Sequence, residues 1–497
     1  MSRRANIATA IAAVLAVSIA RPAAAQDTTS GRVSPPPPGP LRPFDFPRVE
    51  RFTLGNGVNV IVLERHALPI VSAQIIVDAG ALRDPRESSG LAALTGSLLS
   101  TGTRTLNGRQ LAERMERYGA AFQTGADYLK AGAQLTVLAP AFADAFALAA
   151  TTITEPSFSQ AEFERLQQEA LANIAQRRAS VEGLAPEVFM RAVYDSSSAY
   201  ARPAEGVPAT LSRLTRADVV RWYGIAYVPR ATTVLIVGDI TPAAAQKIVQ
   251  SALGAWTAPA GATPGSTATS PAASDAARTS ASAHSSTARV ILVDRPASVQ
   301  SGIAIGQLAI PMTDPNYLPL LTVNRVLGGG FNGRVNMNLR ERHGYTYGAF
   351  SRFEARRGSG TLAVVSAVRS DVTDSALVEA VAEWRRIARD SISTPEFRAA
   401  VDNLVGSFPN SVQTVQGLAD RVALAVTTGL PVDFYATYRD RLAAISPAEA
   451  HGAASRILRP DTPTVVVVGD LRTVEPRVRA LNLGTVEVWD ADGHRVR

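Results

Sequence analysis

Two stretches, one near the middle of the chain and one near its end, carry the same pattern of apolar and polar positions. Val228-Pro229-Arg230 leads to Thr233 and the run Val234-Leu235-Ile236-Val237, closed by Gly238-Asp239. Arg459-Pro460-Asp461 leads to Thr464 and the run Val465-Val466-Val467-Val468, closed by Gly469-Asp470. Each reads as a proline turn, a buried β-branched strand and a Gly-Asp turn. Other strands are predicted ahead of them, over 58–63 and 70–77 in the first case and over 290–293 and 301–310 in the second. Helical patterns follow, as at 218–223 and 374–388. Strands bracketing several helices predict an α+β unit that occurs twice. The repeat is far longer than a solenoid period, so a whole domain is duplicated.

Low-complexity segments set the boundaries. Residues 257–286 are mainly Ala, Ser, Thr, Gly and Pro, with too little bulky apolar content to build a core. A linker over 257–288 therefore separates an N-terminal half, 49–256, from a C-terminal half, 289–475, with a tail over 476–497. Residues 26–48 form a Pro-rich tether, stiffened by Pro35-Pro36-Pro37-Pro38. The start reads as a signal peptide over 1–25. Arg3 and Arg4 precede a mostly apolar stretch, and Ala23-Ala24-Ala25 offers a small-residue cleavage site before Gln26. Between Asn6 and Arg21 the apolar span is too short for a membrane anchor. Export is expected, to a bacterial periplasm, with no transmembrane segment left after cleavage.

Composition narrows the chemistry. With 46% hydrophobic and 19% charged residues among 497, the chain has material for a full core. The net charge of +7 is almost entirely Arg, because Lys130 and Lys247 are the only lysines. No dense basic run or aromatic-basic stripe accompanies it, so the charge reads as a solvated surface and no nucleic-acid partner is expected. The absence of Cys removes disulfides, thiolate metal sites and a Cys nucleophile. Only His66, His284, His343, His451 and His494 could bring imidazole to a metal, and no two of them share helical or turn spacing.

Residues 77–85 end a strand in a turn, Val-Asp-Ala-Gly-Ala-Leu-Arg-Asp-Pro. Gly90-Leu91-Ala92 and an apolar run to Gly102-Thr103 come next. This order resembles the start of the pitrilysin (insulinase-type) zinc peptidases, the inverzincins, among them the mitochondrial processing peptidases. The resemblance extends from about 46 to 471 and implies two halves closing as a clamshell. In that family His-x-x-Glu-His follows Gly-Leu-Ala. The two His, four apart on one helix face, bind zinc, and the Glu activates the bound water. Here the three positions hold Ala93, Gly96 and Ser97. The family's third ligand, a Glu on a later helix, corresponds to Asn173, located by matching the lead-in from Phe158 to Glu164. Ala has no lone pair, and Ser and Asn are poor neutral zinc ligands, so these positions form a degenerate zinc site. No metal is expected in this chain, and an ordinary one-chain zinc protease is rejected.

The second half carries Gly328-Gly329-Gly330, then Arg340-Glu341-Arg342-His343-Gly344-Tyr345-Thr346-Tyr347. The triple glycine lacks the Gly-Lys-Ser/Thr ending of a phosphate loop and is expected to be a flexible turn before a helix. Alternation along a strand places Tyr345 and Tyr347 on one face. Spacing alone also allows an exposed, ion-paired Arg340 and a core Tyr347. The series resembles the family's Arg/Tyr pair, which implies that Arg340 grips a substrate carbonyl and Tyr347 stabilises an oxyanion. In two-chain members one chain supplies the zinc motif and its partner the Arg/Tyr pair. The resemblance thus implies the non-zinc subunit of a heterodimeric metallopeptidase. It would act on peptides or unfolded segments at the site of a homologous zinc-binding partner. The competing reading is a structural or peptide-binding protein of the same fold with no proteolytic role.

Overall fold

The computed structural model describes residues 45–258 and 287–497. The expected signal peptide lies outside them. So do the tether apart from 45–48 and the linker apart from 257–258 and 287–288.

Two six-stranded sheets dominate. The first contains β1 (Val49–Thr53), β2 (Asn59–Glu64), β3 (Ile70–Val77), β4 (Ala121–Ala126), β5 (Ala131–Leu138) and β6 (Thr232–Gly238), in the order β1-β2-β6-β3-β5-β4. The second contains β7 (Arg289–Asp294), β8 (Gln300–Ala309), β9 (Thr346–Glu354), β10 (Gly360–Arg369), β11 (Thr464–Gly469) and β12 (Thr485–Trp489), in the order β12-β7-β11-β8-β10-β9. Five strands correspond one to one. β2 is parallel to β6 as β7 is to β11, and the remaining three pairings are antiparallel in both sheets. The duplicated α+β reading holds.

The sixth strand breaks the symmetry. β1 pairs antiparallel with β2, whereas β12 comes from the far end of the chain and lies parallel to β7. Residues 476–497 are therefore not a simple tail. They contain the end of the helix Leu471–Ala480 and a strand that covers the open side of β7. Val488 is buried there, and Glu487 is engaged by Arg289 (3.2 Å) and by the Trp489 indole N–H (2.9 Å).

The unbroken apolar strands have a physical reason: both of their faces are covered. In β6, Val234 and Ile236 join the core made with first-half helices, while Leu235 and Val237 join a core built mostly from the second half. The helix Val415–Thr428, from the second half, packs there on β3 and β6. The exchange is reciprocal. In β11, Val465 and Val467 face second-half helices, while Val466 and Val468 meet the helix Val181–Val193 from the first half. Each half thus supplies a helix to the other's sheet. Each fully buried Val, Leu or Ile contributes about 1.5–3 kcal/mol by leaving water.

Candidate functional site

The helix Leu91–Leu98 carries three of the four degenerate positions. Its entry is held by Asp84, a buried residue whose carboxylate accepts the N–H groups of Gly90 (2.9 Å) and Ala92 (2.9 Å). Burial pushes the Asp84 pKa up to about 7 against the pull of those donors. The helix packs on β4 and on the helices Gln160–Arg178 and Arg216–Ala226. The helices carrying Ala93, Gly96, Ser97 and Asn173 are therefore brought together. Ala93 is half-buried, Ser97 and Asn173 are exposed, and Gly96 is buried.

Gly96 shows why this site does not fit zinc chemistry. A Cβ built there would stand 2.5 Å from the Gly125 carbonyl carbon and 2.8 Å from the Ala126 nitrogen, both in the β4 backbone. The helix has closed onto the strand through a glycine–glycine contact, and β4 backbone lies where a Glu side chain would begin. Ligand chemistry agrees, because Ala93 and Gly96 offer no donor atom and Ser97 and Asn173 only weak neutral ones. Among the described residues, no group of three or more His, Asp or Glu side chains is arranged to hold a metal ion.

The second-half candidates lie on irregular backbone. Arg340 falls in a π-helical segment, Met337–Arg342, that continues the short helix Arg334–Asn336. Its guanidinium lies 4.6 Å from the centroid of the Phe331 ring and 3.5 Å from the Glu341 carboxylate. The segment is anchored from below. The Asn338 amide donates to Glu379 (2.9 Å) and Glu383 (2.8 Å), both on the helix Thr373–Arg389.

Tyr347 sits at the start of β9, where the pairing with β10 slips. Ala349 faces Ser366 and Thr346 faces Val368, so Tyr347 and Gly348 oppose the single residue Ala367. This β-bulge turns the Tyr347 side chain outward. It is 96% exposed, and its hydroxyl makes no hydrogen bond among the described residues. Two hydroxyls fasten the bulge. Thr346 donates to Ala367 O (2.6 Å), and Ser366 donates to Gly348 O (2.9 Å).

The structure corrects two expectations here. Tyr345 lies outside β9 and stacks on His343 (4.9 Å between centroids) against the core, so it does not share a strand face with Tyr347. Gly344 takes a φ of +63°, and together with the bulge it breaks the alternation. Nor is the triple glycine a loose turn. The N–H groups of Gly328 and Gly329 both reach Asn324 O (3.0 and 2.8 Å), and Gly328 O accepts from Ser351 in β9 (2.9 Å). A Cβ on Gly328 would come within 2.6 Å of the Ser351 nitrogen, and one on Gly330 would strike the Arg325 guanidinium. These glycines permit close packing.

No hydrogen bond, ion pair or ring contact among the described residues joins Arg340 or Tyr347 to the first half. The Asp84 cap, the Gly125 contact, the Phe331 stack and the Asn338 anchor had no signal in the sequence, since each joins residues from separate elements.

The fold is a duplicated α+β chain, and the helix expected to match the family's zinc helix offers no metal-holding group among the described residues. Residues 60–202 match the family model for insulinase, peptidase family M16, and residues 213–404 match the model for the peptidase M16 inactive domain. The chain belongs to the peptidase M16 (insulinase) family, as a non-catalytic member without the zinc-binding set. It is 20% identical over 376 residues to YmxG, an uncharacterized zinc protease of Bacillus subtilis, spanning 75% of this chain and 87% of that one. An uncharacterized zinc protease of Streptomyces coelicolor is 25% identical over 287 residues, spanning 55% and 58%. Among solved structures, a peptidase M16 inactive domain from Pseudomonas fluorescens superposes with a TM-score of 0.75 at 21% identity, over 85% of this chain and 98% of that one. A protease from Helicobacter pylori reaches 0.77 at 15% identity, over 85% and 99%. These structural likenesses carry the fold. No helix among the described residues is long and apolar enough to cross a membrane.

Proposed function

We propose that this chain is the zinc-free subunit of an exported two-chain metallopeptidase. It would lend Arg340 and Tyr347 to a peptide bond held at a homologous partner's zinc site. One observation carries the reading: the chain has closed the expected metal helix on β4 but keeps a phenol almost fully exposed on a fastened bulge, with no hydrogen-bond partner among the described residues. An aromatic side chain held in water by a built irregularity is unused by the fold and available to a ligand. In this role the Arg340 guanidinium donates to a substrate backbone carbonyl. The Tyr347 hydroxyl donates to the oxyanion that develops on the scissile carbonyl. Zinc would reside in the partner, since the residues of this chain do not fit it.

The test is reconstitution. The mature chain is co-expressed with a chain of similar length bearing His-x-x-Glu-His, encoded beside it. Cleavage of a fluorogenic peptide is then followed with and without a chelator. The expected result is a stable pair whose activity is abolished by the chelator and absent from either chain alone. Peptide cleavage by this chain alone would reject the assignment, as would full activity of the zinc chain without it. N-terminal sequencing of the exported protein is expected to begin at Gln26.

A further inference from the structure

A cavity of about 650 Å³ lies between the halves. Its walls are the β4–β5 turn (127–130) and Tyr200 from the first half, and the β9–β10 turn with the helix Val415–Thr428 from the second. It falls within the roughly 300–1,000 Å³ typical of ligand pockets. Three cations line it: Lys130, Arg356 and Arg421.

Each of them has unspent capacity. Lys130, one of only two lysines in a chain that otherwise uses Arg, donates to the neutral amide oxygen of Gln74 (2.9 Å) and forms no ion pair among the described residues. Arg421 stands over the Tyr435 ring (6.0 Å) and likewise has no ion pair. Arg356 pairs with Glu354 and stands against the rings of both Tyr128 (4.6 Å) and Tyr200 (5.0 Å), yet its buried Nη1 finds no acceptor among the described residues.

Two carboxylates on the same walls are engaged elsewhere. Asp127 accepts the N–H groups of Leu129 (2.7 Å) and Lys130 (2.9 Å), closing its own turn. Asp420 accepts from Gln74 (2.6 Å) and Gln134 (3.0 Å). Those donors are neutral and leave both carboxylates charged, so the lining sets three cations against two anions, a net positive wall beside the aromatic and aliphatic surfaces of Tyr128, Tyr200 and Leu424.

We propose that this cavity binds the free carboxylate end of a short peptide. The carboxylate is held by Lys130, Arg356 and Arg421, and an apolar terminal side chain lies against the tyrosines. The proposal goes beyond the clamp reading and does not depend on it, because binding is a property of this chain alone.

Titration calorimetry on the mature chain tests it. The probes are an N-acetylated tetrapeptide ending in phenylalanine, the same peptide as its C-terminal amide, and inorganic phosphate. The free acid is expected to bind, and the amide at least about tenfold more weakly, since a charge-assisted contact is lost. Lys130→Gln and Arg421→Gln should each weaken the acid about tenfold and leave the amide unchanged. Both positions keep the Arg356 clasp intact, and circular dichroism confirms folding. Equal affinity for acid and amide, no binding of either, or variants that bind like the parent would overturn the proposal. So would phosphate binding as tightly as the free acid, which would assign the cations to a bare anion.

Discussion

The two halves repeat one sheet plan but differ in what they place against the outer strand. In the first half the helix after β3, Leu91–Leu98, packs on edge strand β4, and a regular helix, Gly108–Arg117, follows with an Asn107/Gln110 capping box. In the second half the helix after β8, Tyr317–Leu327, packs on edge strand β9, and the next helical segment distorts from α to π over Met337–Arg342. The expected metal position is α-helical through Ala93, Gly96 and Ser97 and closed on β4. The proposed clamp sits on a π-turn and a β-bulge, geometries that cost stability and persist where neighbours hold them. Duplication preserved the frame, and under the proposed reading the irregular backbone marks the half that offers its side chains to a partner's substrate.

The largest effect that would break this contrast is on turnover of the assembled complex. Arg340→Ala or Tyr347→Phe should lower kcat by about 100- to 1,000-fold, as loss of an oxyanion donor does. Ser97→Ala and Asn173→Ala, both exposed in the closed half, should leave it within about twofold. Steady-state kinetics on the four complexes separates the halves. Equal effects from both would erase the distinction.

Next in size is the helix exchange. Leu184 on Val181–Val193 and Leu418 on Val415–Thr428 are buried against the opposite half's sheet. Each change to Ala should cost about 2–5 kcal/mol in urea unfolding. Because each half covers the other's sheet, either variant should shift one shared transition. Two separate transitions would show halves that fold independently.

Rebuilding the metal helix tests whether closure or ligand loss came to dominate. Ala93→His, Ser97→His and Asn173→Glu, at one half-buried and two exposed positions, should together be tolerated. Adding Gly96→Glu should lower stability by a further 1–3 kcal/mol, approximately the cost of overpacking, because Cβ meets β4 backbone. Thermal melts and metal analysis read the outcome. A fourfold variant as stable as the threefold one, with one equivalent of zinc, would refute the closure.

The most gradual effect is on pH dependence, spread over several pH units, and it differs in sign between the halves. Asp84 has a folded pKa raised to about 7, so its contribution is fully present below its ordinary range near 4 and is lost as pH rises through 7. The slope should reach about 1.4 kcal/mol per pH unit at its steepest and vanish in Asp84→Asn. Glu396 is held down at about 2 by the Arg334 guanidinium (2.8 Å), so its contribution exists above its ordinary range and is lost as pH falls through 2. Urea titrations at stepped pH check both directions.

Much of the frame was legible in one dimension. The strands Thr232–Gly238 and Thr464–Gly469 stand where the β-branched runs predicted them, because such runs suit a strand covered on both faces. The short strand Thr485–Trp489 was not legible, since its alternation is brief and its buried Glu487 reads as polar until Arg289 is beside it. At the candidate site the loss of zinc groups was plain from Ala93, Gly96, Ser97 and Asn173. The reason Gly96 stays glycine was not, because Gly125 lies on another element.

Residue identity and local periodicity belong to the sequence. From them come the duplicated α+β plan and the chemical inability of this chain's own helix to chelate a metal. Which helix covers which sheet, the outward turn of Tyr347 and the inward turn of Tyr345, and the gathering of Lys130, Arg356 and Arg421 around one cavity were decided only by tertiary packing. These features depend on contacts between residues far apart in the chain, and only the three-dimensional fold brings those residues together.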